Sequence, residues 1–141
     1  FPRWEVPLRG VSRFPTDRAT RAALRSACNA VIARPHPALA TLGLGRARCH
    51  EGLVVSGDRF VSTSAESAAL RQALPDALAV EMEGAAMAQV CADFGRPLAV
   101  LRTVSDRADD QAHVDFPRFL REVAAVYARE VVMTALTAGW P

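Results

Sequence analysis

Lysine is missing from this chain: all 17 basic side chains are arginines, set against 15 acidic residues for a formal net charge of +2. The arginines are scattered and gather into no basic stripe, which argues against a nucleic-acid binder. Cysteine is scarce. Cys28, Cys49 and Cys91 are odd in number and far apart, with no CxxC pair and no histidine at metal spacing. They read as three reduced thiols, not as a disulfide framework or a metal site. His36, His50 and His113 form no HExxH-type cluster. No secretory signal is expected, and no apolar run approaches the roughly 20 residues of a membrane span. These absences point to a cytoplasmic protein without metal, organic cofactor, nucleic-acid partner or membrane anchor.

What is present is an ordinary globular balance. The chain has 141 residues, 50% of them apolar and 23% charged, which suits one domain and excludes a disordered tail or a collagen-like fibre. Residues 1–16 read as an extended arm punctuated by Pro2, Pro7, Gly10 and Pro15. Thr16 or Asp17 is placed to cap a helix to about Ala33, ended by Pro35 and Pro37. Residues 49–56 and 77–82 read as strands, and Pro97 to Val104 as a third. Helices are expected from Ser64 to about Ala73, from Glu83 to Phe94, and from Asp115 or Phe116 to about Leu136. Ala86, Met87, Val90, Cys91 and Phe94 share one face of the second of these. The alternation of strand and helix, with strands rich in Val, Leu and Ala, predicts an α/β fold with a mainly parallel sheet flanked by helices.

In open α/β sheets, ligands bind beyond the carboxyl ends of the strands. All three predicted strands end in acidic runs: Ser56-Gly57-Asp58-Arg59-Phe60, Glu81-Met82-Glu83-Gly84 and Ser105-Asp106-Arg107-Ala108-Asp109. Three such ends in register suggest a polar pocket. Each run also has a purely structural reading. Asp106 suits a turn or helix cap, Glu83 a helix first turn, and Glu81 an ion pair with Arg102 on the neighbouring strand. Phe60 and Phe116 read equally as core or rim aromatics. An apolar Met82 between two carboxylates suits a ribose, which presents one hydrophobic face and hydroxyls that donate to acids.

Taken together, Val54-Val55-Ser56-Gly57-Asp58-Arg59-Phe60, Ala79-Val80-Glu81-Met82-Glu83-Gly84-Ala85-Ala86 and Leu101-Arg102-Thr103-Val104-Ser105-Asp106-Arg107-Ala108-Asp109 resemble the nucleoside phosphorylase/nucleosidase superfamily. The Val-Glu-Met-Glu run is shared by several of its branches. The Ser-Gly-Asp-x-Phe and Ser-Asp-x-Ala-Asp motifs, with His113 and Phe116 following, resemble the 5′-methylthioadenosine/S-adenosylhomocysteine nucleosidase branch. The resemblance runs from about residue 14 to the end of the last helix. It implies a three-layer fold whose mixed sheet has further strands upstream of this region. The chain then corresponds to a single partial domain over residues 1–141.

The resemblance implies hydrolysis of the N-glycosidic bond of 5′-methylthioadenosine or S-adenosylhomocysteine, releasing adenine and a 5-thio-ribose. Asp106 matches the acid that shares a proton with purine N7, and Ser105 positions it. Glu83 matches the carboxylate that accepts from the ribose hydroxyls, with Met82 packed on the sugar. Phe60 would stack on adenine, the Val61 backbone would pair with its polar edge, and Phe116 would wall the alkylthio group. Val80 and Glu81 belong to the same binding set, and Arg102 stands behind the acids. The water-activating acid of the family has no counterpart in this chain; Asp58 and Asp109 lie in the motifs without that role. A homodimer is implied, with the arm Phe1–Gly10 near the partner's pocket. Two alternatives stay open: a phosphorolytic relative using phosphate in place of water, and a non-catalytic nucleoside-binding module.

Overall fold

The computed structural model describes residues 3–104 and 116–140. Helix α1 spans Arg18–Ile32. Asp17 caps it: its side chain accepts from the Thr20 backbone N–H at 2.7 Å and from the Thr20 hydroxyl at 2.6 Å, satisfying donors that a helix start otherwise leaves bare. A one-turn helix α2 follows at Pro37–Thr41, with proline at its start. Strand β1 is Leu53–Ser56, helix α3 is Ser64–Ala73, strand β2 is Ala77–Glu81 and helix α4 is Gly84–Asp93. Thr63 caps α3 through the Glu66 N–H, and the Glu66 carboxylate returns to the Thr63 hydroxyl and the Ser62 N–H. This is close to a reciprocal capping box.

β1 and β2 pair in parallel, Val55 opposite Val80 and Ser56 opposite Glu81. The connection through α3 is the crossover that parallel strands require, and α4 packs back onto β1. The expected α/β architecture, a parallel sheet flanked by helices, is therefore present, and its strands end side by side at Ser56 and Glu81.

The main core lies among helices. The chain's last helical stretch runs as α5 (Phe116–Phe119), a π-helical turn at Leu120–Ala124 and α6 (Ala125–Thr137). α6 packs on α1. Val31, Val123 and Val131 are each 2% exposed at this contact, joined by Leu24, Ala27, Phe119, Tyr127 and Ala135. The His36 ring leans on Tyr127, centroids 4.9 Å apart. No helix among the described residues is long and apolar enough to cross a membrane.

Three expectations need correction. The segment 97–104 is not a strand: the two-stranded sheet contains β1 and β2 alone among the described residues. Its apolar pattern reports burial instead of pairing. Ala99 and Leu101 pack on the helical core, and the Leu98 carbonyl accepts from the Asp17 N–H at 2.7 Å, tying the segment to the start of α1. The arm is not extended over its described part. It turns back on itself, with Val6 N–H donating to the Val11 carbonyl at 2.8 Å, through positive φ at Leu8 and Gly10. Finally, the strand expected over residues 49–56 starts only at Leu53.

Candidate active site

The ends of β1 and β2 converge on one buried carboxylate. The side chain of Glu81, the last residue of β2, is only 5% exposed. Such a charge needs several partners to offset its lost hydration. Glu81 has them. The Ser56 hydroxyl at the end of β1 donates to it. The Gly84 N–H donates to its two oxygens at 2.9 and 2.8 Å, and the Glu83 N–H at 3.1 Å. Arg102 Nη2 lies 2.9 Å away. Burial pushes this carboxyl upward, but the hydrogen bond from Ser56, those from the Glu83 and Gly84 backbone, and the Arg102 charge outweigh it, so it sits below the ordinary glutamate value. Glu81 is held as a carboxylate.

The same contacts cap α4. Glu83 is the residue before the helix, yet its own side chain makes no cap bond; Glu81 serves the first N–H groups instead. This placement favours an anion, because helix starts carry partial positive charge. Gly84 allows the approach: a Cβ there would stand 2.9 Å from Glu81 Oε1.

Glu83 is differently placed. Its carboxylate is 65% exposed and takes a bond from Arg102 Nη2 at 2.8 Å. One arginine nitrogen thus bridges a buried acid and an open one. Glu81, Glu83 and Arg102 are brought into direct contact, and the Glu81–Arg102 ion pair is formed. Met82, between the two acids, is exposed. Ser56, which was not singled out as a site residue, completes the cluster. Its sequence signal was its place at the head of the Ser-Gly-Asp-x-Phe motif, at the end of a predicted strand.

The other anticipated residues lie apart from this contact network. Phe60 stands in the loop after β1, 72% exposed, and Phe116 is exposed at the start of α5. Val61 and Val80 are half-buried. Ser105 and Asp106, with Asp109 and His113, lie outside the described residues. Met82, Arg102, Ser56, Gly84 and Asp58 are among the residues that line an open groove of about 1670 Å³; Glu81, Glu83, Phe60, Val61, Val80 and Phe116 do not line it. The groove exceeds the volume that a small ligand fills, and charged side chains such as Arg21, Arg25, Arg48 and Glu51 line it as well.

Among the described residues, no three His, Cys, Asp or Glu side chains gather to hold a metal ion. Burial, then the neighbouring Cys49, pushes the Cys28 thiol up to about 12, which keeps it protonated and a poor nucleophile or ligand.

Parallel strands ending in a capped carboxylate, with an open acid and an arginine beside it, place a polar cluster at the strand carboxyl ends of an α/β protein, where ligands of open α/β sheets bind. The chain matches the model of the Phosphorylase superfamily over residues 1–137 and belongs to that family. The match reaches upstream of residue 14, where the motif resemblance began. Solved structures similar to it include three nucleoside hydrolases. A 5′-methylthioadenosine/S-adenosylhomocysteine nucleosidase from Neisseria meningitidis, in complex with methylthio-immucillin-A, is 34% identical with a TM-score of 0.76, covering 95% of this chain and 52% of that one. An S-adenosylhomocysteine nucleosidase from Streptococcus pyogenes is 26% identical, TM-score 0.74, over 94% of this chain and 50% of that one. A futalosine hydrolase of Helicobacter pylori is 28% identical, TM-score 0.72, over 95% and 50%. The chain spans about half the length of the solved structures it matches.

Proposed function

We propose that this chain supplies the purine- and ribose-binding part of a nucleosidase that hydrolyses 5′-methylthioadenosine or S-adenosylhomocysteine to adenine and a 5-thio-ribose. The observation that carries this reading is the placement of Glu83. It is an open carboxylate at a strand end, anchored on one side by Arg102 Nη2 at 2.8 Å and free on the other to accept from two vicinal hydroxyls. Met82 beside it offers the apolar contact that a sugar face takes. The likeness to nucleosidases of 34% and 26% identity supports the same reading.

In this mechanism the C1′–N9 bond breaks as the sugar becomes oxocarbenium-like. Adenine leaves neutral because N7 takes a proton from the acid, and water adds its hydroxyl to C1′ while its remaining proton makes good the one the acid gave up. Asp106 is the acid at N7, so it acts protonated in the complex, and Ser105 orients it. Phe60 stacks on the base, the Val61 backbone meets its polar edge, Val80 and Glu81 back the sugar site, and Phe116 faces the alkylthio group. The futalosine hydrolase likeness favours a second reading, hydrolysis of a different nucleoside at the same site.

The test is adenine release from 5′-methylthioadenosine by the native protein and by Asp106→Asn. Removing a general acid lowers the rate by about 100-fold or more. Equal rates in the two proteins contradict the assigned role.

A further inference from the structure

We propose that Ser56 is a positioning residue for the sugar-binding carboxylate Glu83, acting through Glu81 and Arg102; this rests on the nucleosidase reading. The Ser56 hydroxyl uses both its donor and its acceptor capacity. It donates to the Glu81 carboxylate and accepts the Ala85 N–H at 2.8 Å. A single small side chain thereby joins the end of β1 to the end of β2 and to the first turn of α4.

Glu81 then fixes Glu83 at two points. It accepts the Glu83 backbone N–H at 3.1 Å, and it holds Arg102 at 2.9 Å while the same nitrogen reaches the Glu83 carboxylate at 2.8 Å. Rotation of the Glu81 carboxylate therefore moves both the backbone and the side-chain anchor of Glu83. Without the Ser56 hydroxyl, Glu81 Oε1 loses one of its two donors in a site where its side chain is 5% exposed, and the Ala85 N–H loses its acceptor. The carboxylate then turns toward the remaining donors, Gly84 N–H and Arg102. The Ser56 hydroxyl gives its proton to Glu81 and accepts from Ala85, so it acts on the sugar through Glu83. Its effect falls on the hydroxyls that Glu83 receives and spares the base.

The experiment measures binding of two probes by titration calorimetry: adenine alone, and a methylthioadenosine analogue whose base is joined to the sugar by an uncleavable carbon–carbon bond. Ser56→Ala weakens the nucleoside analogue about tenfold and leaves adenine within about twofold, the size expected for one lost charge-assisted hydrogen bond. Ser56→Thr keeps the hydroxyl on a residue suited to a strand and restores nucleoside affinity. A merely structural role shifts both probes together, or neither, and either outcome overturns the assignment while the nucleosidase reading stands. Failure of the unmutated protein to bind either probe overturns both readings at once.

Discussion

The Glu81 carboxylate sits so close over Gly84 that a Cβ at position 84 would meet its Oε1 at 2.9 Å. The far end of a glutamate normally swings away from such an intruder at little cost. This one cannot do so freely, because Ser56, Arg102 and two backbone N–H groups hold it. Gly84→Ala therefore destabilises the fold by about 1–2 kcal/mol, even though alanine is the better helix former. Urea unfolding midpoints check this; an unchanged or raised midpoint counts against the packing described. Combined with Glu81→Gln, the two losses add to less than their sum, since both disturb one cap.

Stability falls in acid, and Glu81 carries a definable part of the fall. Its folded value lies below the ordinary glutamate value, as those of Asp17, Glu51 and Asp76 lie below theirs. The unfolded chain then takes up protons at higher pH than the folded one. The resulting stability is fully present above the ordinary carboxylate value of about 4.3 and is lost as pH drops through the lower folded value. Glu81→Gln removes its share and gives a shallower loss below about pH 4. Denaturant midpoints from pH 7 downward measure the slope; parallel slopes in the two proteins contradict the cap.

The helical core makes a separate demand. Val131 on α6 is 2% exposed within the cluster formed with α1. Val131→Ala removes two methyl groups from a packed contact and costs about 2 kcal/mol. Thermal unfolding reads the loss. Because α6 lies outside the cap network, this loss adds to that of Glu81→Gln without coupling.

Much of the fold was readable because its signals are local. Asp17 three residues before Thr20 marks the start of α1, and Pro35 and Pro37 lie just past its end; α3 occupies Ser64–Ala73, the range expected for it. β2 ends at Glu81, one residue short of expectation. The failures share a physical cause. Leu98 to Val104 has the composition of a strand, but a strand exists only where a ladder partner stands, and no local pattern names that partner. The π-turn at Leu120–Ala124 leaves no mark in residue type. α4 begins at Gly84 instead of Glu83 because the capping carboxylate comes from Glu81, behind the expected position. The role of Ser56 depends on a bond to Glu81 across 25 positions, beyond any motif window. The acidic strand ends were visible from spacing, whereas the chemistry given to Asp106 came from family resemblance.

The central claim is that this site serves hydrolysis of a purine nucleoside. It is tested most directly by incubating the protein with 5′-methylthioadenosine in phosphate-free buffer and quantifying adenine and free 5-methylthioribose. The account predicts the two products in equal amounts, at a rate that added phosphate does not raise. No adenine in either buffer, or adenine only with phosphate and a sugar phosphate as co-product, contradicts it.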